Sequence, residues 1–153
     1  MKKLIAILLV AASLLAVLPV CSAQDDGTQA KDVVYYEDGS YLVTVIEDVP
    51  SARASNTRTK NKVCTWYNSD DTVAWEITLT ATFTFDGTSA TCDTAICTAS
   101  IYDRTWYIIS KTASKSGNVA YGNAVLGYKI LGVVIDKRPI NMTLTCSPTG
   151  VFS

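Results

Sequence analysis

Val73-Ala74-Trp75-Glu76-Ile77-Thr78-Leu79-Thr80-Ala81-Thr82-Phe83-Thr84-Phe85 is the stretch that decides the fold class. Its odd positions are all apolar. Its even positions, after Ala74, are Glu76 and four threonines. A period of two puts one side against a core and the other against water. Threonine is β-branched and polar, which suits the wet face of a pleated strand. Wound as a helix, the same residues would scatter their apolar groups around the whole circumference. The pattern therefore predicts a long antiparallel strand over 73–85 with one buried face.

The remaining segments fit around that strand. Val33–Glu37 and Tyr41–Glu47 flank Asp38-Gly39, a strong hairpin signal because both turn positions tolerate positive φ. Val49–Asn61 has no apolar period and holds Pro50, Ser51, Arg53, Arg58 and Lys60, so it reads as a connecting loop. Strands are expected over Lys62–Asn68, Thr88–Thr94, Cys97–Tyr102, Thr105–Ala113 and Ile140–Cys146, with a turn at Asp136–Pro139. Val119–Ile135 is β-prone but interrupted by Gly122, Gly127 and Gly132, which mark bulges or close backbone approaches. No long amphipathic helix appears. The expectation is an all-β antiparallel sandwich, Ig-like or a partly closed barrel.

The N-terminus reads as an address. Met1-Lys2-Lys3 precedes an apolar run, Leu4–Leu18, and Val20-Cys21-Ser22-Ala23 ends in small residues. This is the pattern of a secretory signal peptide over 1–23, and the run is shorter than the roughly 20 residues a spanning helix needs. Cleavage after Ala23 would give a secreted protein with no membrane span. The alternative is a lipid anchor on Cys21, although Val20 occupies a position where small residues are usual. Residues 24–32 read as a loose acidic terminus, 33–147 as a single β-domain and 148–153 as a short tail. Two of the 13 basic residues leave with the signal, against 14 acidic ones. That mildly acidic balance excludes an extended phosphate-binding surface, so no nucleic-acid partner is expected.

Four of the five cysteines lie beyond the signal: Cys64, Cys92, Cys97 and Cys146. An even number in an exported chain suggests two disulfides, and four cysteines admit three pairings. Ile140, Met142, Leu144 and Cys146 share one strand face, and Cys64 shares parity with Trp66. That parity favours Cys64–Cys146, leaving Cys92–Cys97. Zinc is disfavoured, because there is no histidine and no two-residue cysteine knuckle.

The search for chemistry returns mostly negatives. Without histidine the usual triads are missing. Gly122 to Gly127 has phosphate-loop spacing, but Tyr128 stands where the lysine belongs. Glu37, Glu47, Glu76 and Asp103 are the acids to consider for a carboxylate pair, and nothing in the sequence brings two of them together. No catalytic residue, metal or cofactor is assigned. The aromatics are the better hint. In Tyr35-Tyr36, Trp66-Tyr67 and Trp106-Tyr107 neighbouring rings point to opposite faces, so each pair leaves one ring outside the core. Exposed rings stack on sugars, anchor protein partners, or simply complete a cross-strand ladder. Tyr36, Tyr67 and Tyr107, with Arg53, Arg58 and Lys60, are the candidate binding residues.

Several phrases resemble small uncharacterised secreted proteins of Gram-positive bacteria, gut anaerobes among them. They are Tyr36-Glu37-Asp38-Gly39-Ser40-Tyr41, Ile101-Tyr102-Asp103, Trp106-Tyr107, Ser110-Lys111, Ser114-Lys115-Ser116-Gly117-Asn118 and Leu144-Thr145-Cys146. The resemblance implies export and one β-domain, and brings no catalytic or binding residue with it. The expected function is a secreted, non-enzymatic binding module whose partner is a glycan or a surface protein. The alternatives are a carboxylate-dependent glycoside hydrolase and a purely structural surface protein.

Overall fold

The computed structural model describes residues 28–50 and 56–153. The expected signal segment, Cys21 and Arg53 lie outside the described residues. Among the described residues eight strands follow one another: β1 (Thr28–Tyr35), β2 (Tyr41–Asp48), β3 (Thr57–Tyr67), β4 (Val73–Phe85), β5 (Ala90–Ile101), β6 (Trp106–Ser116), β7 (Val119–Ile130) and β8 (Val133–Thr145). They form a five-stranded sheet, β1-β2-β3-β4-β5, and a three-stranded sheet, β6-β7-β8, and every pairing is antiparallel. Hydrogen-bonded neighbours are always neighbours in sequence. The chain is therefore an up-and-down meander rather than the Greek key of an Ig-like domain. No described helix is long and apolar enough to cross a membrane.

Strand β4 obeys its pattern. Trp75, Ile77, Leu79, Ala81 and Phe83 are fully buried. On the other face, hydroxyl contacts tie β4 to its neighbours: Thr82–Thr59 at 3.0 Å, Thr80–Asn61 at 2.8 Å and Thr84–Asp93 at 2.7 Å. The second sheet supplies Ala120, Ala124, Leu126, Ile140, Met142 and Leu144 to the same core. Gly122 lets the sheets close: a Cβ there would lie 3.3 Å from Leu79 and 3.1 Å from Met142.

Several expectations are corrected. Strand β1 begins at Thr28, inside the segment read as a loose terminus, because β2 is long enough to pair with it back to Glu47. The expected pair of strands 88–94 and 97–102 is one strand, β5, kinked by a bulge opposite Thr82/Phe83. Asp136–Pro139 is not a turn but lies within β8. That strand is a sheet edge, where the missing N–H of Pro139 is tolerated. The expected loop through Asn61 ends at Asn56, and Arg58 and Lys60 belong to β3. Residues 148–153 turn back as part of the fold. Phe152 bridges Cys146, is buried, and meets Phe83 edge-on at 5.5 Å.

No disulfide forms among the four described cysteines, which are all buried free thiols. Cys92 and Cys97 stand on one extended strand, which holds their Cα atoms about 16 Å apart at roughly 3.3 Å per residue. Cys64 lies in the middle of β3, whereas Cys146 follows β8 at the far end of the sandwich, where its N–H reaches the carbonyl of Asn118. Parity placed both side chains inward without saying how far apart they lie along the strands. Burial pushes all four thiols above their ordinary pKa, which makes them poor nucleophiles.

The β4–β5 turn is organised by Asp86. Its carboxylate accepts the N–H groups of Thr88 at 2.9 Å and Ser89 at 2.7 Å, and both hydroxyls. These donors hold the carboxyl far below the usual range. Depression in the folded state means the charge stabilises fully above the unfolded value near about 4 and loses that effect as pH falls. Asp86→Asn is therefore expected to lower the urea midpoint at neutral pH, with the gap to the parent closing below about pH 4. A gap that persists unchanged in acid would mean the charge is not what the turn uses.

Candidate functional site

In a meander, alternate connections gather at the same end. The β1–β2, β3–β4 and β5–β6 connections surround one mouth of the sandwich, and the β7–β8 hairpin leaves from the same end. The C-terminal segment closes the opposite end, where the Gly87 N–H donates to the Pro148 carbonyl. A cleft of about 410 Å³ opens at the mouth. Asp38 and Ser40 come from the first connection, Asn68 and Ser69 from the second, Asp103 from the third, and Asp136 and Arg138 from the start of β8. Trp66, Trp106 and Tyr128 form its floor.

The floor is an aromatic cluster. Trp66 stacks on Trp75 with ring centres 5.8 Å apart and planes 17° apart, and Trp75 meets Trp106 edge-on at 6.0 Å. Trp106 lies against Tyr128 at 5.0 Å and Trp66 against Tyr36 at 4.7 Å. These rings meet because register aligns them: Trp66 opposite Trp75 across β3/β4, and Trp106 opposite Tyr128 across β6/β7.

Arg138 lies across this floor. Its guanidinium carbon sits 4.1 Å from the Trp66 ring centre, 5.0 Å from Tyr36 and 5.9 Å from Trp106. Such stacking suits a planar, weakly hydrated cation. Nη2 is 3.6 Å from Asp136, while Nη1 is buried with no hydrogen-bond partner. Arg138 escaped the sequence reading because Pro139 suggested a turn. The signal was nonetheless present: continuing the inward parity of Leu144, Met142 and Ile140 one step back reaches Arg138.

Each carboxylate of the mouth binds its own local backbone, Asp38 and Asp103 in turns and Asp136 within β8. Asp38 accepts the Ser40 N–H at 3.0 Å and the Ser40 hydroxyl, which lowers its pKa. Asp103 accepts the Thr105 N–H at 2.9 Å and hydroxyl at 2.8 Å, and Asn68 reaches its other oxygen at 3.4 Å. Asp136 accepts the Lys137 N–H at 2.7 Å. No group of three or more carboxylates and thiols placed to hold a metal ion occurs among the described residues.

The candidates read from sequence end up apart. Tyr36 packs at the mouth, on Trp66 and Arg138. Tyr67 stands on the outer face of the five-stranded sheet in a ladder with Tyr41, their rings parallel at 4.7 Å, and Tyr41 meets Tyr35 at 5.5 Å. Tyr107 covers Gly127, where a Cβ would fall 2.4 Å from the ring, and Lys129 Nζ lies 5.5 Å from its ring centre. Arg58 is exposed in β3. Lys60 is buried, 2.7 Å from Asp48 and 5.2 Å from the Phe152 ring centre, so it is a core residue and not part of a basic binding loop. Of the acids, Glu76 lies on the threonine face of β4, and only Asp103 lines the cleft.

Comparison with protein-family models, curated proteins and solved structures finds no significant match.

Proposed function

We propose that the protein is a non-enzymatic binding module that takes a saccharide unit in the mouth cleft. The observation that carries this reading is the combination of a stacked Arg138, three locally hydrogen-bonded carboxylates and an aromatic floor in one cleft. Sugar hydroxyls need acceptors and donors at close spacing, together with an apolar surface for their C–H faces. Asp38, Asp103 and Asp136 supply acceptors, Arg138 and Asn68 supply donors, and the Trp and Tyr rings supply the apolar surface. An anionic ligand is disfavoured, because three carboxylates surround one guanidinium. The signal-like pattern of residues 1–23 supports placing this binding at the cell envelope or outside the cell.

The hydrolase alternative has less support. A glycosidase acid must be held protonated, with a raised pKa. The donors around Asp38 shift it the other way. Asp103 is tied into its own turn by the Thr105 N–H and hydroxyl, and Asp136 accepts the Lys137 N–H within β8.

Titration calorimetry with a panel of neutral oligosaccharides tests the proposal. Arg138→Met keeps a stem over Trp66 and removes the donors, and it is expected to weaken binding about tenfold, the equivalent of roughly 1.4 kcal/mol. Absence of binding across the panel, or unchanged affinity in the variant, would overturn the saccharide reading. Release of reducing sugar that disappears in Asp103→Asn would overturn the non-enzymatic one.

A further inference from the structure

The β7–β8 hairpin extends past the core as a bare ribbon. Ile130, Leu131, Val133, Val134 and Ile135 are all exposed, and Leu131 is 100% exposed. Because successive strand residues alternate in direction, Val133, Val134 and Ile135 make both faces of the ribbon apolar. Ile130 pairs with Val133, leaving Leu131-Gly132 as a two-residue tip with φ of 49° and 83°. That geometry calls for Asn, Asp or Gly at the first tip position. Leucine in the left-handed region is strained, and here no folded-state contact offsets the strain. An exposed, strained leucine at the end of an apolar ribbon is a local cost whose benefit lies outside the folded chain.

The base of the ribbon is basic. Lys129 lies opposite Val134, and Lys137 opposite Gly127. The β5–β6 connection leans on this base, its Thr105 carbonyl accepting the Lys129 N–H at 2.8 Å, and exposes Tyr102 and Arg104 beside it. Asp136, the one carboxylate within the ribbon, is engaged by Arg138. Asp70 and Asp71, at the same end, belong to the turn of the other sheet, bound to Thr72 and Tyr41.

We infer that this tip is a lipid-surface anchor. It would insert Leu131, with Val133 and Val134, into the headgroup–acyl boundary of a bilayer carrying anionic lipid. Lys129, Lys137 and Arg104 would then lie at phosphate level. Charge selects this partner: apolar tips rimmed by Lys, Arg and Tyr match the layered polarity of a membrane interface. Size argues against a second copy of the chain. A tip of six residues offers far less than the roughly 800 Å² per partner of a stable protein interface.

The test is co-sedimentation of the purified protein with phosphatidylcholine vesicles containing one quarter phosphatidylglycerol. Leu131→Asn suits the left-handed tip, so it keeps the hairpin while removing the apolar group. It is expected to retain the parent's circular dichroism, to melt at or above the parent's temperature, and to lose at least tenfold in vesicle binding. Lys129→Glu with Lys137→Glu is expected to lose a similar factor on the same vesicles. Saccharide binding should be unchanged in Leu131→Asn, because the tip does not line the cleft, so the two proposals fail separately. No sedimentation of the parent, or equal sedimentation of parent and Leu131→Asn, overturns the anchor. So does a concentration-dependent dimer that Leu131→Asn abolishes, since it assigns the tip to self-association.

Discussion

Trp75→Ala is expected to destabilise the domain by about 3–5 kcal/mol, the range for emptying a large aromatic site in a packed core. Trp75 is fully buried and touches both Trp66 and Trp106, one ring from each sheet. Its loss removes apolar burial and two aromatic contacts of about 0.5–1.5 kcal/mol each. Domain stability itself is only about 5–15 kcal/mol, so this single change threatens the fold. Trp75→Phe is the informative companion. The indole Nε1 is buried without a hydrogen-bond partner, so phenylalanine removes an unsatisfied donor along with some volume. We expect that variant to lose about 1 kcal/mol or less. Urea unfolding followed by circular dichroism measures both. A loss below about 1 kcal/mol in Trp75→Ala would mean that the three tryptophans do not tie the sheets together.

Asp48→Ala is the second large effect, expected at about 3 kcal/mol. Lys60 faces the core and is buried, with Asp48 directly opposite on β2 as its ion-pair partner at 2.7 Å. Removing the carboxylate leaves a buried ammonium facing only the Phe152 ring. The reverse change should be mild. Lys60→Met keeps the stem and removes the charge, and the half-exposed Asp48 turns to water, so a change within about 1 kcal/mol is expected. Comparable losses in the two variants would show that Lys60 contributes through its charge pair rather than its stem. Chemical denaturation midpoints distinguish these outcomes.

The contrast between Lys60 and Arg138 shows where sequence reading fails. Both lie on inward-facing positions of strands whose apolar residues are interrupted, by Arg58 and Lys60 in β3 and by Arg138-Pro139 in β8. Charge and proline suggested loops, and the strands ran on. Lys60 is accommodated because the register supplies Asp48, and Arg138 because packing of the two sheets lays it on Trp66 and Tyr36. Those partners are 12, 72 and 102 residues away in the chain or held on other strands, beyond the reach of any local pattern.

The cysteines show the same limit. Parity correctly turned Cys64 and Cys146 inward, and both are buried. Parity carries no information about position along the strand axis, and it is that coordinate which keeps the thiols apart. The β7–β8 tip was legible as residues but not as a surface. Ile130–Ile135 reads like any buried strand, and only the extension of the hairpin past the end of β6 leaves it bare.

The sequence by itself determined the all-β class, the inward face of β4, the inward face of Ile140–Cys146, and the turn at Asp38-Gly39. These follow from alternation and from local backbone preference, which act over a few residues. The tertiary structure alone decided the meander order, the mouth built from alternate connections, the stacking of Arg138 on Trp66, the burial of Lys60 and the exposure of Leu131. Each of these depends on which strands become neighbours and how far each extends beyond the core. Those outcomes are set by packing across the whole chain, where side chains remote in sequence compete for the same few contacts.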